Sequence, residues 1–176
     1  KCNNRLNQQF NPSAPNQVWV GDVTYFRFNN KNYHICAVMD LYARTIIAYR
    51  ISFKNSTQLV KSTFRQAYET RQPPQNLIFH SDRGTNYRSY SFCSYLKSLH
   101  VEQSFSRTHT PYDNSVIESF FSSMKREELY RTKYRSEYEL RKAIDDYVTF
   151  YNTKRPHSKN QNKTPMAKEK EYYSET

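Results

Sequence analysis

Asp22, Asp82 and Glu118 are the side chains whose types and positions could do chemistry in this sequence. Asp22 follows Gly21 inside the apolar run 18–28, where a missing side chain would let another group come close to the backbone. An ionised carboxylate on a buried strand costs several kcal/mol unless it is paired or bound to a cation. Either the neighbouring ladder or an arginine satisfies Asp22, or a cation does. Asp82 lies in His80-Ser81-Asp82-Arg83-Gly84, after a short apolar run. That is the carboxyl end of a strand, where open α/β sheets place their ligands. The same letters also spell an ordinary Asp-x-Gly turn. Glu118 stands three residues after Ser115, the spacing of a capping box that would only close a helix start. On a helical wheel, Ile117, Phe120, Phe121 and Met124 form the core stripe, and Glu118, Ser122 and Lys125 line its flank. Together the three acids offer what two Mg²⁺ ions about 3.5–4 Å apart need for phosphodiester displacement. Such ions take oxygen from a few carboxylates and leave the rest of their shell to water and phosphate. His80 reads as a packed or hydrogen-bonded strand residue. The five histidines are scattered, and no His/Cys cluster, Gly-rich phosphate loop or Ser-His-Asp set competes.

The charge balance gives those acids their weight. The 176 residues hold 27 Lys plus Arg against 16 Asp plus Glu, a net charge of +11. Residues 1–101 carry 13 basic residues but only four acids: Asp22, Asp40, Glu69 and Asp82. A strongly basic chain most often has a polyanion as its partner, so each acid works against binding and needs a reason to be present. Only 36% of the residues are hydrophobic, but 16% are aromatic, and each Phe or Tyr buries about 150–250 Å². A core is therefore affordable. The longest apolar runs, such as 35–39, fall far short of the ~18 residues of a membrane span. The sequence itself leads to no expectation of a signal peptide. Cys2, Cys36 and Cys93 form no CxxC pattern, which points to a reducing, cytoplasmic setting.

The elements that must position these residues follow from pattern. Residues 1–15 are polar with Pro12 and Pro15, and read as a linker or arm. The run 18–28 has apolar residues at both parities, as a central strand covered on both faces would. Asn29-Asn30-Lys31-Asn32 signals a turn, and 33–41 and 45–53 complete an antiparallel meander. A helix is expected over 56–70, capped by Ser56 or Asn55. The strand 76–79 then returns after a crossover and pairs in parallel. A helix over 87–99, a strand over 101–105, a loop over 108–113, helices over 115–129 and 136–151 and a Lys/Asn-rich tail complete the chain. The order βββαβαβαα is an α/β architecture, a mixed five-stranded sheet with helices on both faces. Residues 16–132 would form the core, with 133–176 as a helix and basic tail of the same domain. Only two glycines occur, Gly21 and Gly84, so they mark tight places while Asn takes over turns. The chain starts at Lys1 rather than Met, as a piece of a longer protein would.

Five stretches, in order over residues 17–165, carry a resemblance. They are Trp19-Val20-Gly21-Asp22-Val23-Thr24-Tyr25, Met39-Asp40-Leu41-Tyr42-Ala43-Arg44, and His80-Ser81-Asp82-Arg83-Gly84-Thr85-Asn86-Tyr87. Tyr112-Asp113-Asn114 with Glu118-Ser119-Phe120-Phe121 and Lys125 is the fourth, and Tyr151-Asn152 with Arg155-Pro156-His157 and Thr164-Pro165 the fifth. With 35 residues between Asp82 and Glu118, the sequence resembles the catalytic core of bacterial insertion-sequence transposases of the DDE, retroviral-integrase-like type, made from two frameshift-fused reading frames. The resemblance implies a ribonuclease-H-like fold with Asp22, Asp82 and Glu118 as catalytic, metal-binding triad. It implies Mg²⁺, with Mn²⁺ as substitute and two ions when DNA is bound, and no small-molecule cofactor. It places Lys125 on DNA near the cleaved phosphate, with Arg83, Arg126, Arg155 and His157 as further DNA contacts, and leaves Asp40 structural. The implied chemistry is cleavage at the element's ends to give a 3′-OH, which attacks another phosphodiester without a covalent protein–DNA intermediate. The implied partners are DNA, both element end and target, and further copies in a dimer or larger assembly, in a bacterial, nucleoid-associated location without membrane contact.

Two departures fall at Arg107-Thr108-His109-Thr110-Pro111, where relatives usually have a glycine, and at Asn160-Gln161, in place of an apolar residue and glycine. End recognition in such proteins resides in an N-terminal helix-turn-helix region, and nothing like it occurs in this sequence. Two other readings are a nuclease of the same fold and a non-catalytic DNA-binding descendant. The spacing of the triad and the Tyr151–Pro165 motif speak against the first, the intact triad against the second.

Overall fold

The computed structural model describes residues 11–106 and 114–175. The expected linker therefore lies mostly outside the described residues, as does the loop 108–113 with its departures from the family pattern. Strands β1 (Val18–Phe28), β2 (Lys31–Asp40) and β3 (Thr45–Ser52) form the meander. β1 and β2 turn at Asn29 and Asn30, both with left-handed backbone (φ 47° and 57°), which suits a two-residue hairpin. Helix α1 (Thr57–Arg71) leads to β4 (Ile78–Ser81), and α2 (Tyr90–Ser98) to β5 (Glu102–Phe105). β4 pairs in parallel with β1, and β5 with β4, giving the order β3-β2-β1-β4-β5. This is the expected mixed five-stranded sheet.

Each face of the sheet has its own core. On one, Val18, Val20, Ile35 and Met39 meet α3 (Ser115–Met124) and α4 (Glu137–Thr153). On the other, Trp19, Cys36 and Val38 meet α1 and α2 through a cluster of rings centred on Phe64, Phe79 and Phe92. The first four residues of β1 are buried, but from Asp22 onward the strand is half-buried or exposed. Coverage on both faces thus holds only for its first part, because β4 pairs with β1 over Val18, Val20 and the residue between them. Asp22 emerges two residues beyond that pairing.

Three local features differ from expectation. The helix expected over 115–129 divides into α3 and a π-helical turn, Lys125–Leu129. The capping box is not formed: Asn114 is the N-cap, makes no side-chain capping bond, and Ser115 already lies inside the helix. The basic tail contains a further helix, α5 (Pro165–Glu175). It is held by ion pairs rather than an apolar stripe, with Glu169 taking a two-pronged bond from Arg71 at 2.9 and 3.0 Å. The N-cap of α1 is Ser56, whose Oγ accepts from the Leu59 N–H at 3.2 Å. Among the described residues nine non-glycine residues have positive φ, five of them Asn, and neither glycine does. The glycines are there for space. No helix of the described residues is long and apolar enough to cross a membrane.

Candidate active site

A Cβ on Gly21 would sit 2.4 Å from Cζ of Phe79, so the β4 ring occupies the volume a side chain would need. That close approach draws the end of β4 against β1 just before Asp22 leaves the paired region. Beyond β4, Asp82 is exposed, and its Oδ1 accepts the Gly84 N–H at 2.8 Å. The Asp-x-Gly turn is thus real, and a Cβ on Gly84 would lie 2.9 Å from that same oxygen. Turn and site are compatible: the turn fixes one oxygen and leaves the carboxylate in solvent. Glu118 projects from the first turn of α3 and is also exposed, free of the capping role.

The three acids act on one another. Burial pushes the Asp22 carboxyl up to about 7, opposed by the Val23 N–H bonded to its Oδ1 at 2.8 Å and reinforced by the charges of Asp82 and Glu118. Glu118 is likewise raised, by burial first and by Asp82 second. Among the described residues no Lys or Arg forms an ion pair with any of the three. Among the described residues no three His, Cys, Asp or Glu side chains lie close enough together to hold a metal ion by themselves. What exists is an oxygen-only set of mutually repelling carboxylates at the rim of a basic protein. That donor chemistry fits Mg²⁺, which binds through one or two carboxylates and relies on water and phosphate for the rest.

The basic residues fall into two groups. Lys125 lies on the Glu118 flank of α3, with Nζ 5.6 Å from the centroid of the Tyr25 ring, and burial lowers its pKa. Tyr25, 57% exposed on β1, was singled out by sequence only as part of a motif; its sole further signal is an aromatic at an outward position of a half-covered strand. Arg83 is exposed beside Asp82, and its Nε donates to the Ser106 carbonyl at 2.8 Å. Arg126, Arg155 and His157 instead line a cleft against α3 that none of the three acids lines. Arg155 donates from Nε and Nη2 to both oxygens of Glu127 at 2.9 and 2.7 Å, which holds the Glu127 carboxyl down at about 2. Its first role is therefore intramolecular, and Glu127, 28 residues away, was not foreseen. Asn152 of the same motif bonds both the N–H and the C=O of Ile46 at 2.9 Å, tying α4 to β3. His80 is fully buried between the hydroxyls of Ser104 (2.9 Å) and Ser106 (3.2 Å). Asp40, also fully buried, accepts the N–H groups of Asn16 (2.7 Å) and Tyr42 (2.9 Å).

Comparison with known proteins adds the following. The integrase core domain family matches residues 12–111, and a second family of the same description matches residues 99–165. The transposase for insertion sequence element IS904 of Lactococcus lactis is 36% identical over 168 residues, 95% of this chain and 66% of the relative. Transposase InsF for insertion sequence IS3A of Escherichia coli is 35% identical over 156 residues, 88% of this chain and 54% of the relative. The chain thus spans between about half and two thirds of these relatives' lengths. Among solved structures, the HTLV-2 integrase catalytic core domain in complex with magnesium superposes with a TM-score of 0.71 at 20% identity, covering 88% of this chain and 97% of that one. A chain of the simian T-cell lymphotropic virus intasome gives 0.77 at 17% identity, covering 90% and 56%. At those identities the likeness concerns the fold, which is the ribonuclease-H-like retroviral integrase core.

Proposed function

This chain belongs to the IS3-family insertion-sequence transposases with an integrase core domain, and on that premise we propose that it is the part that cuts and joins DNA. The proposed reaction is metal-dependent cleavage at an element's ends, followed by attack of the freed 3′-OH on another phosphodiester. The observation that carries it is the mutual influence of the three acids: burial and the charges of Asp82 and Glu118 raise Asp22, burial and Asp82 raise Glu118, and none of the three pairs with a Lys or Arg among the described residues. Asp22, Asp82 and Glu118 would hold Mg²⁺ or Mn²⁺, which when bound polarises the scissile phosphate and supports both the attacking and the leaving oxygen. The chain's own side chains do the rest. Asp22 sheds the proton its burial favours as the site gains positive charge. Asp82 keeps its orientation through the Gly84 N–H. Lys125, on the Glu118 flank, meets the backbone near the reacting phosphate. The net charge of +11 draws in DNA with little regard to sequence, and affinity falls as salt rises. Two ends to be joined call for two or more copies assembled on DNA.

The deciding assay incubates the chain with a labelled element-end or branched oligonucleotide and Mg²⁺ or Mn²⁺, beside Asp82→Asn. Joined products that vanish in the variant support the proposal. Cleavage without joining favours a nuclease of the same fold. Metal-independent binding without chemistry, in the full-length protein as well, overturns both.

A further inference from the structure

β1 and α3 face each other at two levels. At the first, Asp22 feels the charge of Glu118. Three residues along the strand from Asp22, a span of about 10 Å, comes Tyr25. Seven residues along the helix from Glu118, again about 10 Å, comes Lys125. These two meet, with the Lys125 Nζ 5.6 Å from the centroid of the Tyr25 ring. We propose that Tyr25 is a positioning residue, whose ring holds the Lys125 ammonium away from the carboxylates. The acids then stay open to a metal ion, and the cation stays open to a phosphate. The proposal rests on the metal and DNA reading above and gives Tyr25 a part in it.

Lys125 needs such a holder. Seven residues fall within about 20° of two full α-turns, so Lys125 and Glu118 share one flank. A lysine stem is flexible and its ammonium is a compact charge, so the two long side chains can close on each other. An ammonium on Glu118 would supply the positive charge that a metal ion brings, and the two would compete. Among the described residues Lys125 nevertheless forms no ion pair. Burial lowers its pKa, and no carboxylate opposes that shift. An aromatic face within about 6 Å attracts a cation without neutralising it, and more strongly where water is excluded. Tyr25 is thus a partner that leaves the charge whole.

Both ends of the contact are fixed. On the strand, Tyr25 pairs with His34 across the β1–β2 ladder, their ring centroids 6.1 Å apart. On the helix, the winding widens at Lys125. Its carbonyl accepts the Tyr130 N–H at 2.9 Å, five residues on, in the π-helical turn. The Tyr130 ring lies 6.1 Å from that of Phe26, the next residue after Tyr25 on β1. That turn ties the backbone of Lys125 to the stretch of strand that carries the ring. Exposure points the same way. Tyr25 is 57% exposed and belongs to neither core, so the lysine rather than the fold accounts for an aromatic there.

The test uses the whole chain without DNA, with Mn²⁺ uptake followed by the EPR signal of the free ion and the Lys125 ε-methylene protons followed by NMR. The ring should shift these protons upfield in the parent and in Tyr25→Phe, and the shift should vanish in Tyr25→Leu. Tyr25→Leu should also weaken Mn²⁺ binding by about fivefold, the scale of one cation–π contact, as the ammonium turns to Glu118. Tyr25→Phe should bind Mn²⁺ as the parent does. The double variant Tyr25→Leu with Lys125→Met should regain at least the parent affinity, which repair of a merely structural defect would not explain. Thermal melts confirm folding, and Tyr25→Thr, a strand former without a ring, replaces Tyr25→Leu where that variant does not fold. Unshifted Lys125 protons in the parent, or equal Mn²⁺ affinity with and without the ring, overturn the proposal and leave the metal site standing. Affinity lost equally in the single and double variants reduces Tyr25 to a support of the strand and also overturns it. A parent chain that takes up no Mn²⁺ overturns the proposal together with the metal site beneath it.

Discussion

The open end of β1 around Asp22 and the corner around Asp40 make an instructive pair. Both hold an acid on adjacent antiparallel strands of one sheet, and burial raises both carboxyls, to about 7 and about 6. Asp40 is enclosed and receives two backbone N–H groups, with Arg71 offsetting the repulsion of Glu169. Asp22 receives one N–H and faces two further acids, with no compensating cation among the described residues. One corner has used its acid to tie loops together. The other retains an unmet need for positive charge, which is what the proposed metal site would meet.

The comparison breaks most visibly in activity. Asp22→Asn should reduce oligonucleotide cleavage and joining by about 10³-fold or more, as loss of a charge-stabilising group in a catalytic site does, while the melting temperature holds or rises. Unfolding with parent-level specific activity in the surviving fraction would make Asp22 another Asp40. Next in size is stability. Asp40→Ala leaves the N–H groups of Asn16 and Tyr42 buried without partners and should cost about 2–4 kcal/mol in denaturant unfolding. A loss under 1 kcal/mol would show the corner to be held by something else.

The smallest effect is in pH. Both carboxyls are raised in the folded chain above the ordinary value of 3.8, so the folded state binds protons more tightly than the unfolded one. Stability contributed by these groups is therefore greatest below about pH 4 and falls as pH rises, to about 6 for Asp40 and about 7 for Asp22. Asp22→Asn should flatten the upper part of that decline, and Mg²⁺ should do the same in the parent chain by favouring the ionised form. An unchanged slope between pH 6 and 7 in the variant would show that Asp22 is not held protonated.

How far the sequence reaches depends on where the deciding partner lies. The strands were legible because Val18, Val20, Trp19 and Val23 carry the pattern themselves. The acids were legible because a carboxylate within a basic, apolar stretch is out of place on its own terms. α5 was missed because what holds it, Arg71 on Glu169, is 98 residues away and leaves no apolar stripe behind. The capping-box alternative for Glu118 fails although Ser115 and Glu118 have the right spacing, because the N-cap falls at Asn114 and Ser115 is already the first helical residue. The π-helical turn after Met124 has no compositional mark, since it differs from an α-turn by a single residue of winding. Arg155 matched a motif, yet a motif cannot show that Glu127 reaches the guanidinium first.

The joins at the Asp40 corner have one more consequence. Asn16 bonds Asp40 at one end of the described chain and, 3.4 Å from its Nδ2, the hydroxyl of Tyr173 at the other; α5 reaches back to Arg71. Contacts spanning up to 157 residues form only after long loops have closed, and they tie both ends into one cooperative unit. A protease that nicks the segment before α5 would thus loosen the start of β1 as well, although the two cleavable regions lie at opposite ends of the chain.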